Sequence, residues 1–406
     1  MDLHQRNRTT RYLLDGVAVL VLAGLASLVL ALALTRPPIQ YNPDTAPELG
    51  TTVRARVLSV TDETQTLDPA GLVMVFQQLE LRILTPGPYH DQIVTVSYNG
   101  MGPTLSAVRF REGARALVYI TELPEGSQLS SDQESQSGQA PESAARVVYQ
   151  VADHIRLLPL GLVAVAFAVV TVIIGRWQGV RALVGLALSA LLIGAFIMPQ
   201  ILAHRDPVLV TLVGAALLLA GTLYLIQGWN PAGHAALLGV LISLAATGAL
   251  AMLWTHLAFL TGFGSEETLF LQAVGVGVQM RGLLLAGMIL GAAGVLDDVV
   301  IAQAVTVFEL AAASPDRRFR TLYQRGMRVG VTHLASMVNT LVLAYASTAL
   351  PLLILFYLYP EPWYLTINRE LIAEEIVRAL VGSLGLMLAV PLTTVIAAWI
   401  APRSAD

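Results

Sequence analysis

Residues 282–313 read GLLLAGMILGAAGVLDDVVIAQAVTVFELAAA. As one helix, at 1.5 Å per residue, the stretch would be about 48 Å long. The hydrocarbon core of a bilayer is only about 30 Å thick, so the segment must protrude, tilt strongly or break. A break is expected near Gly291–Gly294, with Asp297 capping a second half-helix, as in transporter folds that build midplane sites from discontinuous helices. In a continuous helix, Asp298 and Glu309 are eleven residues apart and share a face, with Gln303 and Thr306 elsewhere. A charge at the bilayer centre costs at least ~2.5–3.5 kcal/mol on insertion scales and therefore needs a partner, a proton or water. Asp297 and Asp298 thus read as a proton or ion relay or a polar substrate site, and interhelical hydrogen bonding is the plainer account. Glu309 fits either role or simply the cytoplasmic end of the span.

Outward from this stretch the chain is strongly apolar. Of 406 residues 55% are hydrophobic and 13% charged, with mean hydropathy +0.66. Soluble domains carry about twice that charge, which excludes a soluble enzyme and points to an integral membrane protein. Cysteine is absent and every basic residue is Arg, which removes disulfides, thiolate sites and lysine chemistry. The net charge of −4 gives no support to a nucleic-acid partner.

Eight spans are expected: an anchor at 13–34, then 157–175, 182–203, 208–226, 235–258, 282–307, 330–358 and 375–400. The run at 13–34 is too long for an ordinary signal-peptide core, although Ala31-Leu32-Ala33 resembles a cleavage site. Arg6, Arg8 and Arg11 put the N-terminus inside; alternation then puts Arg176, Arg181, Arg317, Arg318, Arg320, Arg325, Arg328 and Arg403 on the cytoplasmic side. Both termini (1–12 and 402–406) are expected in the cytoplasm and the protein in a bacterial inner membrane. Residues 36–156 would be an extracytoplasmic all-β domain. Alternation at Val53/Ala55/Val57, Leu79/Leu81/Ile83 and Val94/Val96/Tyr98, with runs at 116–123 and 147–151, predicts five strands and a small OB-like barrel. Its polar stretch 124–144 is expected to be a solvated loop. The fold class is therefore an α-helical membrane bundle, seven spans at 157–401 after the anchor, with an all-β domain inserted behind the first span.

The seventh span is expected to supply partners for the acids. His333, Ser336 and Thr340 fall at helical spacing, as do Thr332, Ser336 and Asn339. Ser and Thr there read first as interhelical glue, Asn339 equally as a site residue, and His333 as a group able to share a proton with an aspartate. Gly287, Gly291 and Gly294 make a small-residue packing face. Residues 266–279 suit an interfacial or re-entrant segment. No phosphate-binding loop, nucleophile elbow or HExxH occurs. Adjacent aspartates project about 100° apart, a poor fit to an aspartyl protease.

The stretches at 281–287 (RGLLLAG), 291–310 (GAAGVLDDVVIAQAVTVFEL), 333–356 (HLASMVNTLVLAYASTALPLLILF) and 382–394 (GSLGLMLAVPLTT) resemble the YibE/F family of bacterial multipass membrane proteins. The resemblance covers most of the membrane half and implies an anchored extracytoplasmic β domain ahead of seven spans. It supplies no reaction; the family is loosely transporter-like. By position the family's acidic pair falls on Asp297 and Asp298, its glutamate on Glu309 and its Asn-Thr on Asn339 and Thr340. Where the family usually has Gly-Arg-Asp-His, this chain has Gly330-Val331-Thr332-His333, so an ion-pair partner for Asp298 or Glu309 is missing. The resulting expectation is a non-enzymatic transporter or permease moving an ion or small solute, without a cofactor. The alternative is a scaffold or envelope-stress component whose outer domain binds a protein; a membrane hydrolase is third. Lipids, the solute and an extracytoplasmic protein are the expected partners.

Overall fold

The computed structural model describes residues 15, 18, 19, 23, 27, 31, 51–67, 73–102, 109–123, 146–314, 316–359 and 361–404. The anchor expected at 13–34 lies mostly outside the described residues, and the loop expected at 124–144 wholly so. The chain divides into two compact units, Ala46–Val169 and Met1–Thr45 with Val170–Asp406.

The first unit holds the five expected strands: β1 (Thr51–Leu67), β2 (Val73–Ile83), β3 (Ile93–Gly102), β4 (Arg115–Leu123) and β5 (Arg146–His154). They form one antiparallel sheet in the order β3-β2-β1-β4-β5, and β3 and β5 approach each other so that the sheet nearly closes into a barrel. The 17-residue β1 can serve two neighbours because it bends at irregularities between Val57 and Ser59 and between Val60 and Asp62, where added residues increase twist. Alternate residues point inward as the pattern predicts: Ala55, Val57, Leu79, Leu81, Ile83, Ala116 and Val118 are at most 1% exposed. Phe110 seals one side of this core, its backbone N–H donating to Gln77 Oε1 (2.8 Å) and its carbonyl accepting from Gln77 Nε2 (3.0 Å). The amide of Gln77 thus replaces a strand partner for a buried stretch of chain that has none.

The second unit is helical, and the helix that leads into it begins in the first, since residues 157–169 belong there. Helix α1 (Leu157–Leu192) passes through a π turn (Ile193–Ile197) into α2 (Met198–Leu202). Then come α3 (Pro207–Gln227), α4 (Pro231–Leu257), short α5 (Glu266–Ala273), α6 (Met280–Ala313), α7 (Phe319–Thr348), α8 (Leu350–Leu358), short α9 (Trp363–Asn368) and α10 (Glu370–Ser404). Among the described residues six helical runs are long and apolar enough to cross a membrane.

The expected spans at 157–175 and 182–203 form one of these runs. At Arg176 (φ 50°, ψ −127°) the helix kinks and the chain doubles back, because Gly179 packs directly on the Thr171 backbone. In a straight helix residues eight apart would be about 12 Å distant. A Cβ at position 179 would overlap the Thr171 carbonyl, so only glycine permits this reversal. Asp206 and Asn230 cap α3 and α4 by accepting from the N–H of Leu209 and Gly233, each followed by proline at the first helical position, the usual start signal. The expected 330–358 span is two helices, α7 and α8, with the change of direction at Ala349 just before Pro351.

Small residues set the packing. Gly239 of α4 packs on Thr393 of α10, and Gly385 of α10 on Thr247 of α4, with room for no Cβ at either glycine. Leu219 and Leu223 of α3, Leu237 and Leu244 of α4, and Ile289, Leu296 and Val300 of α6 form the main buried cluster.

Candidate functional site

Helix α6 is continuous over 34 residues, so the break envisaged at Gly291–Gly294 does not occur, and Asp297 lies inside a helix rather than capping one. Continuity is favoured because Ile289, Ala293, Leu296 and Val300 present an uninterrupted apolar stripe to α3 and α4. The 100° step between adjacent helical residues then separates the two aspartates. Asp297 is half-buried against α3, beside the Thr222 hydroxyl, and its Oδ1 is buried with no hydrogen-bond partner. Asp298 is exposed on the side of α6 away from the bundle, and Glu309, three turns on, is exposed there too.

Gln303 points the other way. It is 5% exposed, and its Nε2 donates to the carbonyl of Gly326 on α7 (3.0 Å) and to Thr394 Oγ1 on α10 (2.7 Å). One amide therefore ties three helices, and the glycines of α7 make room for it: a Cβ on Gly330 would lie 2.8 Å from Gln303 Oε1 and 2.5 Å from Val390 Cγ1. Gln303 does not share the open side of α6 with Asp298.

On α7 the polar residues are likewise directed outward. His333, Ser336, Asn339 and Thr340 are exposed, while Leu322, Gly326, Gly330 and Leu341 are buried. Thr340 satisfies its hydroxyl on the Ser336 carbonyl (3.2 Å) of its own helix. Within one chain the structure thus leaves Asp298, Glu309, His333, Ser336, Asn339 and Thr340 on open faces, and only Asp297 and Gln303 are drawn into the bundle. Tyr345, half-buried, brings its hydroxyl close to Gly291 of α6. Among the described residues no three His, Asp or Glu side chains converge as metal ligands.

Two polar clusters were not singled out in the sequence. At one end of the bundle, Asp15 Oδ1 accepts from Trp229 Nε1 (2.8 Å) and pairs with His234 Nε2 (2.9 Å), while His234 Nδ1 pairs with the Tyr224 hydroxyl (2.8 Å). His234 is 3% exposed. This contact fastens the start of the first apolar stretch to the α3–α4 connection. At the opposite end Glu370 accepts from the backbone N–H of Thr261 and Gly262, and buried Glu374 accepts from that of Gly264. These bonds clamp the chain after α4 onto the start of α10. The sequence signal for the first cluster was a lone aspartate inside an apolar run; its partner histidine, one turn into a capped helix, carries no signal of its own.

In the β domain, burial against Phe110, on which its ring stacks at 3.8 Å, pushes the His154 imidazole below its ordinary value; Asp153 opposes this and Arg156 adds to it. Its Nε2 is buried without a hydrogen-bond partner. The Arg156 guanidinium in turn hydrogen-bonds Asp153 and holds that carboxyl below its ordinary range.

Neither the comparison with curated proteins nor that with solved structures finds a match. Residues 163–403, well over half of the chain, match the YibE/F-like protein family, and with them every acid and polar residue of α6 and α7 discussed above. The chain belongs to the YibE/F-like family.

Proposed function

We propose that this protein is an integral membrane transporter or permease that moves an ion or small solute, with Asp297 and Asp298 as its titrating or coordinating groups. The observation that carries the reading is the pair of carboxylates midway along a 34-residue apolar helix, one half-buried with an unpartnered oxygen and the other open. Carboxylates at that depth are retained against a large insertion cost, which suits groups that bind and release a cation or proton. Asp297 is the better placed to gate, since it touches α3, and Asp298 the better placed to meet water.

The protein acts without covalent catalysis and holds no cofactor. It resides in a bacterial inner membrane with both termini in the cytoplasm. Supporting this orientation, Arg317, Arg318, Arg320, Arg325 and Arg328 all fall at or just after the α6–α7 connection, the end that the positive-inside rule assigns to the cytoplasm. The β unit then lies outside as an OB-like barrel that binds or recruits a protein partner. A non-transporting scaffold is the second reading. It is favoured by an open polar recess on β1–β3, lined by Asp62, Thr64, Phe76, Gln78, Ser97 and Asn99, the kind of surface a partner would use.

The test is flux in proteoliposomes, followed with a pH-sensitive dye and with monovalent cations, for the wild type and for Asp297→Asn with Asp298→Asn. Loss of flux in the folded double variant is expected. Unchanged flux would remove the carboxylates from the mechanism. No flux in either protein, together with a cellular phenotype that follows deletion of residues 46–150, would move the function to the β domain.

A further inference from the structure

Helix α7 carries an arrangement that lipid cannot accommodate. Its packed side is Leu322, Gly326, Gly330 and Leu341; on a 100° wheel Thr332 and Asn339 project from the opposite side and Ser336 from its flank, while His333 and Thr340 fall in line with Gly326 and Leu322, two and five turns further along. All five are exposed. The open side of α6 reads Gly287, Gly291, Gly294, Asp298, Ala302 and Glu309, at spacings of three to seven. Nothing lies within 4 Å of a Cβ built on Gly287 or Gly294, while the Tyr345 hydroxyl of the same chain lies 3.3 Å from one built on Gly291, so another backbone can approach the stripe closely at Gly287 and Gly294. No side-chain hydrogen bond or ion pair within the described residues engages the side chains of Asp298, Glu309, Arg328 or His333; the Arg328 carbonyl accepts from Thr332 Oγ1.

We propose that a second copy of this chain covers these two faces, in a dimer with its two-fold axis along the membrane normal. The inference rests on the membrane-spanning part of the preceding reading and is independent of transport. Three observations select this occupant. First, the unpartnered groups are of opposite kinds: the open side of α6 offers carboxylates, and the exposed residues of α7 an Arg, a His, an Asn amide and the Ser336 hydroxyl. Second, they match in depth. Asp298 lies fifteen residues before the end of α6, about 22 Å along the helix, and His333 and Ser336 lie fourteen and seventeen residues into α7, about 21 and 26 Å from the same end. Glu309 is about 6 Å from that end, and Arg325 and Arg328 about 9 and 14 Å from it. A two-fold along the normal preserves depth, so Asp298 of one copy comes level with the partner's His333 and the partner's Ser336, and reciprocally.

Third, the apolar segments earlier in the chain offer no suitable side-chain groups. The first arm of α1 is bare hydrocarbon, with Leu158 at 77% and Ile174 at 78% exposed, and no better than lipid for a carboxylate. The stretch 16–34 has one serine as its sole side-chain hydrogen-bonding group. Asp15, just before it, is held at Trp229 and His234, on the α3–α4 connection.

The chain has no cysteine, so single-Cys scanning of α7 in native membranes decides the matter. Thr332→Cys, Ser336→Cys, Asn339→Cys and Thr340→Cys are treated with oxidant or a short bis-maleimide, beside Leu334→Cys and Leu341→Cys on the packed side. Expected is a species of twice the 43.3 kDa chain mass for the outward positions and none for the packed ones, with cross-linking abolished in the Gly294→Leu background. A dimer band without that helical periodicity would overturn the proposal. So would outward positions that react with a membrane-impermeant maleimide yet never cross-link, which would mean an aqueous cleft, or an adduct of another mass, which would mean a different protein. Retention of the chain after alkaline carbonate extraction, with no cross-link, sinks the dimer alone. Its extraction would sink the membrane reading as well.

Discussion

Gly330→Ala is the substitution in which packing around the candidate site can be read most cleanly. At this position a new methyl group meets Val390 Cγ1 at 2.5 Å and Gln303 at 2.8–3.0 Å, on two different helices, in a fully packed environment. Gln303 cannot retreat without giving up its bonds to Gly326 and Thr394. Overpacking of this kind costs about 1–3 kcal/mol. Against it stands the helix-propensity gain of Gly→Ala, about 1 kcal/mol, which a control can cancel. Gly161 lies within helix α1, and a Cβ there meets nothing, so Gly161→Ala carries the gain without the clash. The two variants should therefore differ by about 1–3 kcal/mol, or roughly 2–12 °C in the melting temperature of the detergent-solubilised protein. Adding Gln303→Ala removes the atoms that the methyl strikes, and the double variant should be less damaged than the sum of the singles by about 0.5–3 kcal/mol. Equal melting temperatures for Gly330→Ala and Gly161→Ala, or strict additivity with Gln303→Ala, would refute the account of Gln303 as the tie between α6, α7 and α10.

Asp15→Leu should cost about 1–3 kcal/mol, because it leaves buried His234 and the Trp229 N–H without their acceptor; faster proteolytic release of the N-terminal segment would report it. Gln77→Leu should destabilise the barrel by a similar ~1–3 kcal/mol for each of the two Phe110 backbone groups it orphans, visible as amide exchange at β1 and β2 with the helices unaffected. His154, held below its ordinary 6.5, contributes stability that is full above that value. This stability falls as pH drops from 6.5 toward the folded-state value, since the unfolded chain binds the proton first. Barrel amide protection should decline over that interval in the wild type and stay flat in His154→Phe; a flat wild-type profile would contradict the burial argument.

The strands were legible because alternation with period two is unambiguous when one face is buried: Val53/Ala55/Val57 and Leu79/Leu81/Ile83 behave as their pattern requires. The apolar helices were legible for the same kind of reason, as length and composition alone specify them. What the sequence could not display is the tie made by Gln303, which needs a carbonyl 23 residues away and a hydroxyl 91 residues away. The pairing of Asp15 with His234, 219 residues apart, was equally hidden. Reversal of α1 at Arg176 was expected from charge, but its means, a glycine pressed on Thr171, becomes visible only when both arms are in place.

The sequence by itself determined the apolar spans, the five-stranded unit ahead of them and the position of three acids in one helix, because hydrophobic periodicity and charge are local properties. Only the tertiary structure decided which way each polar residue faces. α6 is unbroken, so a single 100° step sends Asp297 into the bundle and Asp298 out of it, and with Gly326 and Gly330 packed the polar residues from Thr332 to Thr340 of α7 are left exposed. Orientation about a helix axis is set by what the opposite side buries, and that depends on contacts between residues far apart in sequence.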